Sequence, residues 1–229
     1  MYTLLLRLIG DWCAAGTERS FQVRSTEDML TKSEMVGLLA AALGRKRTDS
    51  IDDLAAMRYA VRSDRKGEMF MDAQTASRDG KPYYFHKCYL ADAAFLVGFE
   101  SDDKKFLEKL LDAVRHPVFA LYIGRKNCLP IEAKGPIGIG IREGLLEEVM
   151  EQEEPVCWNP DFEGRVEYEC RPGDHADRWI YDQPISFDPV CRKFAKRPVK
   201  VRWLYEEVPD EEDMEEDGNA TAEEAFYGA

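Results

Sequence analysis

The sequence predicts an α+β fold of the ferredoxin-like type, in which helices and strands follow the order β-α-β-β-α-β. Two observations carry this prediction. Helical spacing of apolar residues, with signals for a start and a stop, marks residues 31–44 and 102–115 as helices. Apolar or alternating runs predict the strands of this order, at residues 2–9, 58–65, 88–100 and 118–123, and a further strand at residues 68–72. The two helices fall between these strands in the ferredoxin-like order.

The first helix has signals for its two ends, and the polar segment at residues 77–87 has a turn signal. Thr31 is predicted to cap the first helix, Glu34 stands three residues later and completes a capping box, and Gly44 ends the helix. Farther along, Asp79-Gly80 is a turn signal inside the polar segment 77–87. That segment is predicted to form a projecting finger hairpin.

Beyond residue 130 the pattern becomes irregular. Short strand candidates separated by Gly and Pro predict a small β-rich appendage at residues 131–205, after a principal domain at residues 1–130. Residues 206–229 contain eleven Asp or Glu and no Lys or Arg, which predicts a disordered acidic tail. Of the formal charge of −13, only −2 remains for residues 1–205. The acidity of the whole chain therefore does not exclude a nucleic-acid partner.

Cysteine usage and the start of the chain indicate the compartment. The six cysteines are scattered, without a C-x-x-C pair and without a histidine at metal-ligand spacing. The first apolar run breaks at Arg7, too early for a signal peptide or a membrane span. We therefore expect a cytoplasmic protein with free thiols and with no metal or cofactor.

Two distant segments place basic and hydroxyl residues beside backbone amides, the combination that holds phosphate groups. Thr31-Lys-Ser33 begins the first helix, where amide groups and the helix dipole favour an anion. Gly124 turns the chain from the last predicted strand into the basic pair Arg125 and Lys126. Together they predict binding to the backbone of a nucleic acid, with RNA as the first candidate.

These two segments, together with residues 58–62 and 89–97, resemble the CasD family of CRISPR-associated RAMP proteins. This is the type I-E branch of the fifth Cas family, and the similarity runs from the first strand to Pro130. The resemblance implies a non-catalytic subunit of a type I-E Cascade complex in CRISPR antiviral defence. Such a subunit binds the 5′ handle of CRISPR RNA and caps the filament of backbone subunits. RNA-recognition (RRM) domains use the same ferredoxin-like sheet as a platform.

The resemblance also implies which residues contact RNA. Carried over position by position, these are Arg24, Thr31, Lys32, Ser33, Lys87, Tyr122, Arg125 and Lys126. No catalytic residue and no metal ligand is implied. Aromatic rings that stack on bases and cations that bind phosphates are the usual means of holding single-stranded RNA.

The implied partners are CRISPR RNA, a CasC-type backbone subunit, a CasA-type large subunit and target DNA within the complex, without a membrane. The finger is expected to reach toward the neighbouring backbone subunit and to kink the guide RNA. The target sequence would be read by the guide and not by this protein.

Two other functions stay open from the sequence. His86 and Lys87 could supply a base and a cation to a metal-independent endoribonuclease that processes CRISPR repeat RNA. A lone histidine on a surface finger is nevertheless more often a simple surface residue. The third possibility is a stand-alone RNA-binding module that needs no partner.

Overall fold

The computed structural model describes residues 1–16, 22–132, 135–157 and 162–204, and within these ranges nine strands form one sheet. The strands are β1 (Tyr2–Cys13), β2 (Val23–Arg24), β3 (Arg58–Arg65), β4 (Glu68–Arg78), β5 (Lys81–Ser101), β6 (Gly138–Glu143), β7 (Arg165–Glu169), β8 (Arg178–Ser186) and β9 (Lys193–Trp203). The helices are α1 (Lys32–Ala42), α2 (Asp52–Ala55), α3 (Lys104–Arg115) and α4 (Leu146–Gln152). None of the described helices has the length and apolar character needed to cross a membrane.

The strands follow the order β6-β1-β5-β3-β7-β9-β8, and both β2 and β4 pair with β5. Every pairing is antiparallel except the short parallel contact between β2 and β5. The protein is thus a mixed α/β molecule with a mostly antiparallel sheet and few helices. The predicted strands at residues 2–9, 58–65, 68–72 and 88–100 are confirmed as β1, β3, the first part of β4, and β5.

Helices cover both faces of the sheet because side chains alternate along the strands. Leu4, Leu6 and Leu8 of β1 pack in a core shared with α1 and α3. Leu5 and Ile9 point the other way, into a second core shared with α4. The two cores define an α1 side and an α4 side of the sheet, and these names are kept below.

The predicted strand at residues 118–123 is wrong. This segment crosses the C-terminal end of α1, where the amides of Val118 and Phe119 donate to the carbonyls of Ala42 and Ala41 at 3.0 and 3.2 Å. The last carbonyls of a helix lack a partner in the next turn. Here the Ala42 carbonyl accepts from Val118, and the Ala41 carbonyl accepts from Phe119 as well as from the Gly44 amide. An apolar run rich in strand-forming residues here caps a helix.

β6 pairs with β1 on the side opposite β5, and the sequence analysis did not predict this strand. Its sequence Gly-Ile-Gly-Ile-Arg-Glu contains two glycines, which weaken the pattern of a strand. Packing explains the glycine at position 138, because an added Cβ would lie 2.8 Å from Leu111 Cδ1 of α3. The glycine allows α3 to pack closely over the end of this strand.

The finger hairpin is confirmed and is longer than the segment 77–87. β4 pairs with β5 over eleven residue pairs, from Glu68 with Ala91 to Arg78 with Lys81. Asp79 and Gly80 form the predicted turn, and both have positive φ, as a tight two-residue hairpin turn requires. Eleven residues in extended conformation give an arm of roughly 36 Å.

The strands of the predicted appendage continue the same sheet. β7 pairs with β3, and β9 and β8 follow outward from it. The proposed division at residue 130 stays a prediction, and β6, which pairs with β1, lies beyond that boundary. The acidic tail at residues 206–229 lies outside the described residues.

Candidate nucleic-acid interface

Thr31 caps α1 as predicted. Its hydroxyl accepts a hydrogen bond from the Glu34 amide at 3.4 Å, and its own amide donates to Glu34 Oε2 at 3.2 Å. This reciprocal pair is the capping box. The Ser33 hydroxyl lies 3.3 Å from that of Thr31. Thr31 is buried, so its hydroxyl serves the helix start, whereas Ser33 is only half-buried.

Lys32 lies in the interior, and its exposed fraction is 1%. Its ammonium is 2.7 Å from Glu169 Oε2, and its amide donates to Asp182 Oδ2 at 2.8 Å. Burial lowers the pKa of Lys32, and the neighbouring Glu169 carboxylate opposes that shift. The anion that meets the N-terminus of α1 is therefore a carboxylate of the protein itself. The structure gives the Lys32 ammonium an internal partner, the Glu169 carboxylate. Contact between Lys32 and RNA stays a prediction.

The second predicted segment lies against the start of α1. Gly124 has a φ of 83°, and a Cβ at this position would overlap the Ala14 carbonyl and the Glu34 carboxylate. Only glycine tolerates so close an approach in this conformation. Burial raises the pKa of Glu34 to about 8, against the opposing effects of the Thr31 hydrogen bonds and the Arg125 charge. The structure thus brings the two segments of the sequence motif together.

Arg125 connects this turn to the base of the finger. Its guanidinium donates to the Cys88 carbonyl at 2.8 Å and to the Arg24 carbonyl at 2.9 Å. It also lies over the ring of Tyr89, 4.7 Å from the ring centre. Lys126 is exposed beside it. Arg125 therefore holds β2 and β5 in place while keeping its positive charge near the surface.

Arg24 and Lys87 lie side by side, as neighbours in the parallel pairing of β2 with β5. Their cationic groups both lie over the ring of Phe85, at 5.4 and 5.5 Å from its centre. Arg24 is exposed and Lys87 is half-buried. Two of the predicted RNA-binding cations thus share one aromatic platform.

A series of aromatic rings, not predicted from the sequence as binding residues, continues this surface. Trp12 and Phe70 both lie 5.4 Å from Tyr89, and Tyr83 stacks on Phe85 at 6.1 Å. We call this surface the finger face, and it comprises Trp12, Arg24, Phe70, Tyr83, Phe85, Lys87 and Arg125 together with Tyr89, which is buried beneath Trp12, Phe70 and Arg125. The sequence signal was the alternation from residue 83 to residue 89, which puts every second side chain on one face of a strand.

Tyr122 does not join the finger face. It lies on the segment that was predicted as a strand and is half-buried. In the described part of the chain it makes no ring-stacking or cation contact, so its contact with RNA stays a prediction. Among the same residues, no group of three or more His, Cys, Asp or Glu is placed to hold a metal ion.

Comparisons with known proteins agree with this geometry. A family model described as CRISPR-associated protein (Cas_Cas5) matches residues 3–200. The curated protein "CRISPR system Cascade subunit CasD" of Escherichia coli (strain K12) is 27% identical over 219 residues, covering 85% of this chain and 92% of that protein.

Two solved structures are also similar. One is titled "Crystal structure of Cas protein", with 37% identity, a TM-score of 0.70, and coverage of 88% of this chain and 94% of that one. The other is from a "CRISPR RNA-guided surveillance complex", with 25% identity, a TM-score of 0.72, and coverage of 87% and 89%. The resemblance inferred from the sequence is therefore confirmed, and the chain belongs to the Cas5 family of CRISPR-associated proteins.

Proposed function

We propose that this protein binds CRISPR RNA, without cutting it, as a subunit of a Cascade surveillance complex. The family match and the name of the Escherichia coli relative support the complex. The observation that carries the RNA-binding role is the finger face, on which Arg24 and Lys87 share the ring of Phe85. Rings interleaved with cations fit single-stranded RNA, because bases stack on the rings and phosphates bind the cations.

The bound segment is the 5′ handle of the CRISPR RNA, and this subunit caps the filament of backbone subunits. The length of the finger supports this arrangement, because an arm of roughly 36 Å can cross the RNA and reach an adjacent subunit. Its neighbours are a CasC-type backbone subunit and a CasA-type large subunit, with target DNA within the same complex. The cytoplasm is the proposed place of action.

We assign the RNA-binding part to a ferredoxin-like arrangement with an altered last strand. β1, α1, β3, β5, α3 and β6 follow one another along the chain in the order β-α-β-β-α-β. Their strands lie in the order β6-β1-β5-β3 within the larger sheet. In this assignment β6 takes the place that residues 118–123 were predicted to fill, and β7, β9 and β8 extend the sheet.

The alternative, a metal-independent endoribonuclease that uses His86 and Lys87, is not favoured. Adjacent residues of a strand point to opposite faces. Lys87 shares its face with Phe85, and His86 pairs with Ala73 of β4 on the other. A base and a cation that act on one phosphate must approach it from the same side, so these two side chains do not form a catalytic pair.

The proposal is tested with the double variant Arg24→Ala/Lys87→Ala in complexes assembled with CRISPR RNA. Both charges lie on the finger face, so the RNA content of the purified complex should fall at least fivefold. The matched control is Lys105→Ala/Lys109→Ala, which removes two exposed charges from α3. Equal RNA content in the variant and the control would contradict an RNA-binding role for the finger face.

A further inference from the structure

We propose that the protein has a second binding surface, for single-stranded nucleic acid, on the α4 side of the sheet. It lies along β9 and β8. The finger face is on the other side, since Tyr89 belongs to the core shared with α1 and α3. Tyr168 of β7, next to β9, belongs to the core shared with α4. The two surfaces therefore lie on opposite sides of the sheet.

A groove forms this second surface. Two adjoining cavities, of about 260 and 770 Å³, share the lining residues Arg58, Glu169, Cys170, Arg171 and Asp174, so carboxylates as well as guanidinium groups line the groove. The smaller is also lined by Lys200 and Arg202, and the larger by Trp179. Together they make a continuous depression from the edge strand of the sheet to α4.

The strand register places an aromatic ring between two lysines on this face of β9 and β8, where Trp179 and Lys200 line the groove and Lys196 lies beyond it. Trp179 pairs with Pro198 of β9, so the two side chains lie on the same face. Lys196 and Lys200, two residues on either side of Pro198, point the same way. Roughly 13 Å separates them along the strand, with Trp179 opposite the midpoint.

These side chains are accessible and available. Trp179 is 62% exposed, and both lysines are exposed. Neither Lys196 nor Lys200 forms an ion pair with any described residue, whereas Arg202 is paired with Glu151 at 2.9 Å. The other face of β9 is committed to the interior, where Arg197 pairs with Asp182 at 2.7 Å. Lys196 and Lys200, on the opposite face of β9, have no such buried ion pair with a described residue.

The chemistry selects the ligand. An exposed indole offers a stacking surface for a base, and flanking ammonium groups bind the phosphates on either side of that base. An acidic protein segment would use the cations but leave the indole without a matching planar group. Single-stranded nucleic acid uses both, so it is the ligand that the groove fits best.

The test uses the full-length protein carrying Arg24→Ala/Lys87→Ala, which reduces binding by the finger face equally in every variant compared. Binding of labelled 20-nucleotide oligo(dT) is measured by fluorescence anisotropy over a range of salt concentrations. Adding Trp179→Ala should raise the dissociation constant at least fivefold. Adding Lys200→Ala should lower the slope of log affinity against log salt by about 0.7, the value for one phosphate contact on a single strand.

Two controls match the variants in chemistry. Phe119→Ala removes a 48% exposed ring elsewhere, and Lys109→Ala removes an exposed charge of α3. Affinities equal to those of the controls would overturn the proposal. Unchanged DNA binding by Trp179→Ala, with loss of a subunit from the purified complex, would assign the groove to a protein partner and also overturn it. Neither result bears on the proposed function, which is tested by the RNA content of complexes that carry the finger-face variant.

Discussion

Among individual residues, Glu34 has the most consequential environment, because it belongs to the capping box and lies below the Gly124 turn. Its ordinary pKa of 4.5 rises to about 8 through burial, while Thr31 and Arg125 act in the opposite direction and Asp182 adds to the rise. Between these two values the folded protein holds a proton that the unfolded chain has released. The free energy of unfolding must therefore fall as pH rises through this window.

We predict that Glu34→Gln flattens this pH dependence. In the native protein the slope contributed by Glu34 is on the order of 1 kcal/mol per pH unit between about pH 5 and 8. The amide cannot ionise but still accepts the hydrogen bond from the Thr31 amide. Urea denaturation at pH 5, 6, 7 and 8 measures the effect. Glu148→Gln, at an exposed position, is the control, and identical slopes in all three proteins would contradict the assignment.

Residue-level chemistry was only partly predictable from the sequence. The capping box of Thr31 and Glu34 was correct, because both partners lie within one helical turn. The partner of Lys32 was not predictable, because Glu169 is 137 residues away and meets it only through the order of the strands. For the same reason, a phosphate site was predicted at an amide that Asp182 already occupies, 150 residues along the chain.

At the level of elements, β5 is the strand that joins the body to the finger. Its residues 81–91 pair with β4, residues 93–101 pair with β1, and residues 94–100 also pair with β3, while Leu90 and Ala91 pair with both β1 and β4. Asp92, between these parts, has a φ of 52°, and Arg65 donates to its carbonyl at 2.7 Å and to its carboxylate at 2.6 Å. This left-handed residue sets the direction in which the finger leaves the sheet.

The backbone of Asp92 leads to a prediction about stability. A left-handed conformation costs a residue with a Cβ roughly 1–2 kcal/mol, although Asp tolerates it better than most. Asp92→Ala should therefore lower the free energy of unfolding by about 1 kcal/mol, whereas Asp92→Gly should change it little. Urea denaturation distinguishes them, with Asp102→Ala as the control for loss of an exposed carboxylate. Equal stability of the Ala and Gly variants would show that φ at this position carries no cost.

Elements with strong local patterns were predicted well, and elements defined by their neighbours were not. β3 was correct to the residue, because Arg58–Arg65 alternates and ends at a Gly turn. β6 was missed because its two glycines weaken the strand signal, and at Gly138 the close packing of α3 leaves no room for a Cβ. Residues 118–123 look like a strand, but Val118 and Phe119 satisfy the end of α1. Tertiary context decided both cases.

For the whole molecule, the arrangement of the sheet separates His86 from the cations of the finger face. The cations of the finger face lie on one side of the hairpin with the rings, and His86 lies on the other. The sequence placed His86 and Lys87 next to each other, which made a nuclease plausible. The alternation of a strand puts them on opposite surfaces, and Lys87 is thereby joined to Arg24 instead.

We therefore predict that the full-length protein leaves labelled CRISPR repeat RNA intact in the presence of EDTA. The incubation is followed on a denaturing gel, beside a sample to which a metal-independent ribonuclease has been added. His86→Ala should behave as the native protein does, because a side chain on the opposite face from Lys87 has no role in holding the RNA. Discrete cleavage by the native protein that disappears in His86→Ala would instead show that His86 acts in RNA cleavage and would contradict the proposed non-catalytic role.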